Sequence, residues 1–303
     1  MNKIAVQTGG MEKLYSVRET YRHIKDWGFD AVDANIDHVL SGSSITKDMI
    51  PTLLMKGDRE CMELFKPWAE GAKEADIENY QAHAPFPSYI ADNPSVNANM
   101  IEVLKNCIRA CDTMNCRNLI VHPFFPGYDK QLSAQEEWEL NIERYSRLMP
   151  VAQEYGVTVC LENMFFGYRG KMFAACCSNM ITAANYVDEL NRLAGRDVFG
   201  FCLDTGHALL CGLDIKQCMV TLGKRICAFH IHDNNGVNDQ HLAPYMGVLD
   251  WNRFVEGLKE IQYDAVLSFE TFNVWNQVDN EVMDHMMRFI ADCGRMFARR
   301  AAI

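Results

Sequence analysis

Short apolar runs recur along the chain and alternate with longer segments in which apolar residues return at helical spacing. The runs are nearly continuously apolar, which is typical of strands buried on both faces of a parallel sheet. The predicted strands are "IAVQT" (4–8), "AVDANI" (31–36), "NYQAHAPF" (79–86), "NLIVHP" (118–123), "TVCLENM" (158–164), "FGFCLDTGH" (199–207), "ICAFHIHD" (226–233) and "AVLSFET" (265–271).

The segments between these runs carry the start and stop signals of helices. "SVRE" at 16–19 is a capping box, and its helix is predicted to end near Gly28. Residues 97–116 place apolar side chains on one stripe, and Pro150 should interrupt a later helix. Further predictions are N-caps at Ser178 and Asp250, for helices running to about 192 and 261, a helix end at Gly156, and a C-terminal helix over about 276–300.

Eight strand–helix units in 303 residues predict an α/β fold of the (β/α)8 TIM-barrel type, with a closed parallel sheet. We expect one domain over residues 1–303, because no Pro- or Ser-rich linker interrupts the pattern. A doubly wound open sheet is the alternative. The absence of a Gly-x-Gly-x-x-Gly stretch after the first strand weakens a dinucleotide-binding interpretation.

Composition and charge narrow the classes of partner. The chain is 49% hydrophobic and 23% charged, with a formal net charge of -11. A negative surface disfavours nucleic acid and anionic lipid as main partners, and no apolar run has the length of a membrane span. There are 12 cysteines but no Cys-x-x-Cys pair, and "MNKIAVQTGG" has no apolar leader. We therefore expect a cytoplasmic protein with free thiols and a small-molecule substrate.

Ionisable residues stand at the ends of the predicted strands rather than at their starts. In a parallel barrel all strand carboxyl ends open on one face, so these side chains are expected to converge there. Isolated buried carboxylates would lose much solvation free energy, and a divalent cation would offset that loss. The residues are His83, His122, Glu162, Asp204, His207, His230 and Glu270 at strand ends, with Asp239 and His241 in the following loop.

The mixture of carboxylates and imidazoles without thiolates limits the choice of metal. Such ligands suit Mn²⁺ and Zn²⁺ best, while Co²⁺, Fe²⁺ and Mg²⁺ stay open. Three other histidines, His23, His38 and His285, fall away from the strand ends and are expected to be surface or packing residues.

Four stretches carry a resemblance to a known family: "CLENM", "LDTGH", "FHIHDN" followed by "DQHL" and "MGVLDW", and "LSFET". Together they resemble the sugar-phosphate isomerase/epimerase superfamily, the xylose-isomerase-like TIM barrels that also include the endonuclease IV group. The resemblance runs over roughly residues 4–275 and is specific to the superfamily, not to a substrate.

The resemblance to the epimerase branch implies a metal site and a catalytic pair. It assigns the metal ligands to Glu162, Asp204, His230 and Glu270, with the two glutamates doubling as acid and base. It also implies a substrate-binding role for His207. His230 is preferred over His232 because the family ligand begins a His-x-x-Asp pattern, which Asp233 completes. A shift of the strand would bring His232 to the metal instead.

Two departures from the epimerase pattern leave the number of metal ions open. The stretch "DNNGVNDQH" just after the strand-seven histidine contains no Arg, and Asp239-Gln240-His241 resembles the Asp-x-His of endonuclease IV. A second set of metal or substrate-binding residues is therefore implied: His83, His122, His207, Asp239 and His241.

These assignments imply a metal-dependent isomerase or epimerase that acts on a sugar or sugar phosphate through an enediolate. Arg169, with Lys171 nearby, is the candidate for binding a substrate phosphate or carboxylate. One alternative is an apurinic-site endonuclease IV-like phosphodiesterase with a multinuclear metal site. Another is a lyase or dehydratase of a keto-sugar, cyclitol or glycoside. Relatives are often homo-oligomers, but no interface signal stands out in this sequence.

Overall fold

Parallel strands form the centre of the molecule. The computed structural model describes residues 2–37, 39–57, 59–126 and 132–302, so His38 lies outside the described residues. Its eight central strands are β1 (Ile4–Gln7), β2 (Ala31–Asn35), β3 (Glu78–His83), β4 (Asn118–Ile120), β5 (Thr158–Glu162), β8 (Phe199–Asp204), β9 (Ile226–His230) and β10 (Leu267–Phe269). They form one sheet in the order β10-β1-β2-β3-β4-β5-β8-β9, and every pairing within it is parallel.

The two ends of this sheet meet and close it into a barrel. Ile231, just beyond β9, forms a parallel bridge with Phe269 of β10. The amide of Ile231 donates to the carbonyl of Ser268, and the amide of Glu270 donates to the carbonyl of Ile231. The (β/α)8 barrel is therefore confirmed, and the doubly wound open sheet is excluded. Each strand is shorter than its apolar run, because pairing ends before the polar mouth of the barrel.

Helices surround the barrel, in the segments predicted to be helical and in others that were not. They are α1 (Val17–Asp26), α2 (Gly42–Thr46), α3 (Thr52–Lys56), α4 (Arg59–Glu63), α5 (Lys66–Ala75), α6 (Pro94–Thr113), α7 (Ala134–Ser146), α8 (Met149–Tyr155), α9 (Met180–Ala194), α10 (Thr205–Leu210), α11 (Ile215–Leu222), α12 (Trp251–Glu260) and α13 (Asn280–Ala301). No helix in the described ranges combines the length and apolarity needed to cross a bilayer.

Most of the predicted helix signals are confirmed. Ser16 and Glu19 form the capping box of α1, and Asp250 caps α12. Gly156 ends α8 in a left-handed conformation. The predicted interruption lies just before Pro150, since α7 ends at Ser146 and α8 begins at Met149. Pro150 is thus in the first turn of α8, where backbone amides have no partner within the helix and the missing N–H of proline costs nothing.

Two helix starts differ from the prediction. The cap of α9 is Asn179 rather than Ser178, because the Ser178 hydroxyl donates instead to the carbonyl of Met164. The C-terminal helix begins at Asn280 rather than near 276, because a short 3₁₀ helix, Phe272–Asn276, precedes it and lines the barrel mouth.

A hairpin after β5 was not predicted. Strands β6 (Phe165–Tyr168) and β7 (Lys171–Ala174) pair antiparallel outside the barrel. Arg169 and Gly170 form the turn, both with positive φ. The hairpin carries Phe165 over the barrel mouth, where that ring lies 5.0 Å from the imidazole of His207.

Candidate metal centre and active site

A cavity of about 670 Å³ opens at the carboxyl ends of the barrel strands. Its wall combines side chains from strand ends with aromatic residues from the following loops. The lining includes Gln7, Asn35, Asp37, His83, Phe86, His122, Phe165, His207, Asp239, His241, Glu270, Phe272 and Trp275.

Glu162, Asp204, His230 and Glu270 converge below this cavity. Each offers one donor atom, and the four atoms lie within 4.8 Å of one another. His230 Nδ1 is 2.8 Å from Glu162 Oε1 and 3.5 Å from Glu270 Oε2. All four residues are buried, and Glu270 is the most exposed at 5%. The structure therefore brings together the four residues that were assigned to the metal.

The chemistry of this donor group fits a divalent cation. Three buried carboxylates face one another, and none forms an ion pair with a Lys or Arg in the described part of the chain. Glu162 Oε2 is buried and makes no hydrogen bond of good geometry within the described residues. Burial of uncompensated carboxylates is costly, so these residues are suited to holding a cation with oxygen and nitrogen ligands.

The two glutamates of this cluster differ in their affinity for a proton. Burial alone would raise the pKa of Glu162, but the imidazoles of His230 and His122 bring it well below its ordinary value. Burial raises the pKa of Glu270 to about 7, because His230 and His241 offset the loss of solvation only in part. Carboxyls whose environments separate their pKa values in this way are suited to act as acid and base.

Two residues hold Asp204 in place, one through its carboxylate and one through its backbone. Asp204 caps α10 by accepting a hydrogen bond of 2.6 Å from the amide of His207. The side chain of Asn163 bonds the backbone of Asp204 in both directions. Because the strand ends where the helix begins, the aspartate is held by backbone geometry before any ligand binds.

A second donor group lies beside the first and consists of His207, His232, Asp239 and His241. Asp239 Oδ2 is 3.0 Å from His241 Nε2 and 3.7 Å from His207 Nε2. The rings of His232 and His241 stack with centroids 4.0 Å apart. His232 Nε2 also lies 3.0 Å from Asp204 Oδ2, so it links the two groups.

The remaining predicted histidines, His83 and His122, lie around Glu162. His83 forms a third donor group with Glu162 and His230, each offering a donor atom within 4.8 Å of the others. His122 Nε2 lies 2.9 Å from Glu162 Oε2 and 3.1 Å from His83 Nε2. This group shares Glu162 and His230 with the first one.

The structure separates the roles of His230 and His232. His230 belongs to the group with the three carboxylates, while His232 belongs to the second group. Their spacing of two residues turns both side chains to the same side of the chain at different depths. The prediction had considered His232 only as a replacement for His230, and it missed that both take part.

The residues that line the cavity differ from the predicted ones in two respects. Arg169 lies exposed at the hairpin turn, with its guanidinium 5.1 Å from the ring centre of Tyr168, and it is not among the residues that line the cavity. Lys171 does not line it either. Conversely, the prediction missed Gln7 and Asn35, although both end strands, because they carry no charge.

The loop after β9 is held in place by an aspartate that does not face the cavity. Asp233 accepts hydrogen bonds from the amides of Asn234 and Leu249 and from the indole of Trp251. These bonds close the loop that carries Asp239 and His241 back to the barrel.

Fold and site together define a class of protein: a parallel (β/α)8 barrel with a buried carboxylate–imidazole cluster at the carboxyl ends of its strands. A family model described as xylose isomerase-like TIM barrel matches residues 21–293. The chain belongs to that family.

Curated relatives cover part of the chain. An uncharacterized protein of Methanocaldococcus jannaschii, MJ1311, is 28% identical over 206 residues, which are 66% of this chain and 66% of the relative. An inosose isomerase of Bacillus velezensis is 26% identical over 179 residues, 57% of this chain and 60% of the relative. The chain thus spans less than two thirds of the length of these relatives.

Solved structures share the fold over nearly the whole chain. A D-tagatose 3-epimerase-like protein superposes with a TM-score of 0.63 at 23% identity, over 96% of this chain and 98% of its own. The IOLI protein with a bound zinc atom superposes with a TM-score of 0.69 at 18% identity, over 99% of this chain and 97% of its own.

Proposed function

We propose that this protein is a divalent-metal-dependent isomerase or epimerase of a sugar or a related polyhydroxy ketone. The observation that carries the proposal is the convergence of Glu162, Asp204, His230 and Glu270 beneath an open polar cavity. The similarity to an inosose isomerase supports a substrate with a carbonyl group beside hydroxyl groups.

Four residues would hold the cation: Glu162, Asp204, His230 and Glu270. When bound there, a cation such as Mn²⁺ or Zn²⁺ supplies Lewis acidity, which lowers the pKa of the C–H bond next to the substrate carbonyl. The similarity to a zinc-bound structure of the same fold supports a metal in this family without fixing its identity.

The two glutamates would divide the proton transfer between them. The low pKa of Glu162 keeps it ionised and able to accept a proton, whereas the pKa of Glu270, raised to about 7 in the metal-free protein, gives Glu270 the higher proton affinity of the pair. Removal of a proton by one and return by the other to the opposite face inverts a carbon centre through an enediolate. Return to the neighbouring carbon instead exchanges aldose and ketose.

The cavity wall favours an uncharged substrate. Lys13, exposed at the rim, is the one Lys or Arg among its described lining residues. Amides from Gln7, Asn35 and Asn273 and rings from Phe86 and Trp275 are suited to sugar hydroxyls and C–H faces. We therefore propose a sugar or cyclitol without a phosphate group.

A deuterium wash-in assay tests this function. The metal-loaded protein is incubated with neutral ketoses, aldoses and inososes in D₂O, and the products are followed by NMR. Proton transfer predicts inversion or isomerisation with deuterium at the reacting carbon, and loss of both in Glu162→Gln and Glu270→Gln. The exposed Glu256→Gln is the control and should retain turnover. Conversion that survives either site variant would contradict the assigned acid–base pair.

A multinuclear phosphodiesterase of the endonuclease IV type is the second candidate. The adjoining second and third donor groups favour it, because they offer ligands for more than one ion. The net charge of -11 opposes it, since binding a nucleic acid backbone requires basic side chains. Incision of an oligonucleotide with an abasic site, together with no conversion of any sugar, would favour this candidate. Release of water or an aglycone from a keto-substrate would favour the lyase or dehydratase.

A further inference from the structure

Asp33 is a buried carboxylate beneath the proposed metal ligands that the mechanism above does not use. It lies on β2 with no exposed surface, and Asp33 Oδ2 is 3.2 Å from His230 Nε2. That imidazole nitrogen is on the opposite side of the ring from Nδ1, which faces Glu162 and Glu270. The contact lies off the line of an ideal hydrogen bond, and no other described group bonds this nitrogen.

The backbone directs Asp33 into the barrel. The β2–β3 ladder shifts register there, since Val32 pairs with Asn79 while Asp33 pairs with Gln81. Tyr80 is thus the extra residue of a bulge. Bulges of this kind re-aim side chains and are frequent beside active sites. Here the bulge sets Asp33 and Gln81 side by side under the donor cluster.

Neighbouring side chains hold the Asp33 carboxylate in position. Gln81 Nε2 donates to Asp33 Oδ2 at 2.7 Å and to the carbonyl of Phe229 at 3.1 Å. Ser268 Oγ lies 3.4 Å from the same carboxylate oxygen. Phe229 directly precedes His230, so Gln81 ties the carboxylate to the strand that carries the imidazole.

The packing of Gln81 and Ser268 does not explain why this residue is an acid. Both donate to one oxygen, which the side-chain carbonyl of an asparagine could provide as well. The remaining oxygen, Asp33 Oδ1, is buried without a hydrogen-bond partner in the described structure. The feature that distinguishes a carboxylate from an amide here is its stronger attraction for an N–H group of His230.

We propose that Asp33 is a positioning residue that accepts the Nε2–H of His230 and thereby presents the Nδ1 lone pair to the cation. This inference rests on the proposed function and names the residue that sets the tautomer and ring orientation of its histidine ligand. Partners of this kind fix the tautomer and typically contribute 10–100-fold to metal affinity.

Metal binding by stripped full-length protein tests the proposal. The dissociation constants of Mn²⁺ and Zn²⁺ are measured by competition with a chelating dye. Asp33→Ala removes the acceptor and should weaken binding by at least about tenfold. Asp33→Asn keeps an acceptor oxygen without the charge, so it should restore part of that loss. The matched control is Asp30→Asn, at the opposite end of the barrel, where Asp30 pairs with Arg295; its affinity should equal that of the wild type.

A spectroscopic readout separates positioning from a loss of fold. In the zinc-loaded protein labelled with ¹⁵N-histidine, the Nε2–H signal of His230 is assigned by its absence in His230→Asn. Asp33 bonding predicts a low-field signal protected from solvent exchange, which moves upfield and exchanges faster in Asp33→Asn and Asp33→Ala. Should Asp33→Ala fail to fold, Asp33→Asn carries both measurements.

The outcomes distinguish this inference from the proposed function. Wild-type affinity and an unchanged Nε2–H signal in the folded Asp33 variants would overturn the role of Asp33 alone. A stripped wild-type protein that binds neither cation would overturn both. Equal weakening in Asp30→Asn and Asp33→Ala would also overturn the role of Asp33, since the effect would then come from barrel stability.

Discussion

At the scale of single residues, the proton on Glu270 competes with the cation. Burial raises the pKa of Glu270 to about 7 in the metal-free protein, and the pKa of His230 is also raised by its carboxylate neighbours despite its burial. Both groups must lose a proton to act as ligands, so metal affinity should rise steeply with pH up to about 7 and less steeply above it, where His230 alone still has a proton to lose. Below pH 7 the rise should be at least about tenfold per unit.

Chelator competition at several pH values between 5.5 and 8 measures this dependence. Glu270→Gln removes one of the two competing protons, so it should bind metal more weakly and with a shallower slope. An affinity that does not change over this range would contradict the proton competition.

Asp37, which lines the cavity wall, provides a second titration. Burial raises its pKa from 3.8 to about 6, only partly offset by the hydrogen bond from the amide of Phe86. Because the folded pKa is raised, this carboxyl favours folding at low pH and loses that contribution as pH rises through about 6. Asp37→Asn mimics the protonated form, so it should stabilise the protein by up to about 3 kcal/mol at pH 8 and by less at pH 5.

Urea unfolding of Asp37→Asn and wild type at the two pH values checks this result. The exposed Asp197→Asn is the control and should change stability by the same small amount at both. An effect of Asp37→Asn that is equal at pH 5 and pH 8 would contradict burial as its cause. Stabilisation by removing a cavity-lining acid would indicate that Asp37 is retained for ligand binding.

At the scale of elements, the close contact between α10 and the β9 end depends on a glycine. A Cβ atom on Gly206 would overlap the ring of His232. Gly206→Ala should therefore displace His232, disturb the second donor group and cost about 1–3 kcal/mol. Gly167→Ala in the hairpin meets only Met172 at ordinary contact distance and is the control. Thermal and urea unfolding of both variants measure the difference, and equal stability would show that His232 can move freely.

The elements of the barrel could be predicted because burial on both faces leaves a distinct sequence pattern. Strands such as β5 and β8 are apolar in their interior, and each ends on an acidic residue, Glu162 or Asp204. The hairpin β6–β7 could not be predicted in this way, since its residues are half-buried or exposed and packing does not impose a pattern on them. The helices α2, α3 and α4 could not be predicted either, because five residues are too few to show a helical stripe.

The candidate site could be predicted in its composition but not in its grouping. Parallel topology alone brings Glu162, Asp204 and Glu270 to one end of the barrel. The division of His230 and His232 between two groups depends on strand stagger and depth, which one sequence does not encode in a visible pattern. Asp33 was missed because it lies inside a strand, and the bulge that sets Gln81 beside it leaves no signal in the sequence.

At the scale of the whole molecule, the cation would join strands that are distant in sequence. Its ligands come from β5, β8, β9 and the end of β10, which are the last four barrel strands along the chain. A ligand that binds only the folded state stabilises it by about 2.7 kcal/mol at a hundredfold excess over its dissociation constant. Metal addition should therefore raise the melting temperature, and EDTA should lower it. Asp204→Asn keeps the cap of α10 but weakens metal binding, so its melting temperature should respond much less.

The number of bound ions separates the proposed isomerase from the multinuclear alternative. The first group supplies three carboxylates, whereas the second supplies one carboxylate and three imidazoles. The first group therefore carries the larger negative charge and should attract a divalent cation more strongly than the second. The third group cannot fill independently, because it shares Glu162 and His230 with the first. We therefore expect one tightly bound ion per chain after dialysis, measured by elemental analysis.

Variants assign that ion to its group. Glu162→Gln should remove the tight ion, while His241→Ala should leave it in place, because His241 contributes to the second group alone. Two or three equivalents that survive dialysis, with one lost in His241→Ala, would contradict a mononuclear centre. That result would give the second group a cation of its own, and the phosphodiesterase would then become the better explanation of why so many histidines meet at this barrel mouth.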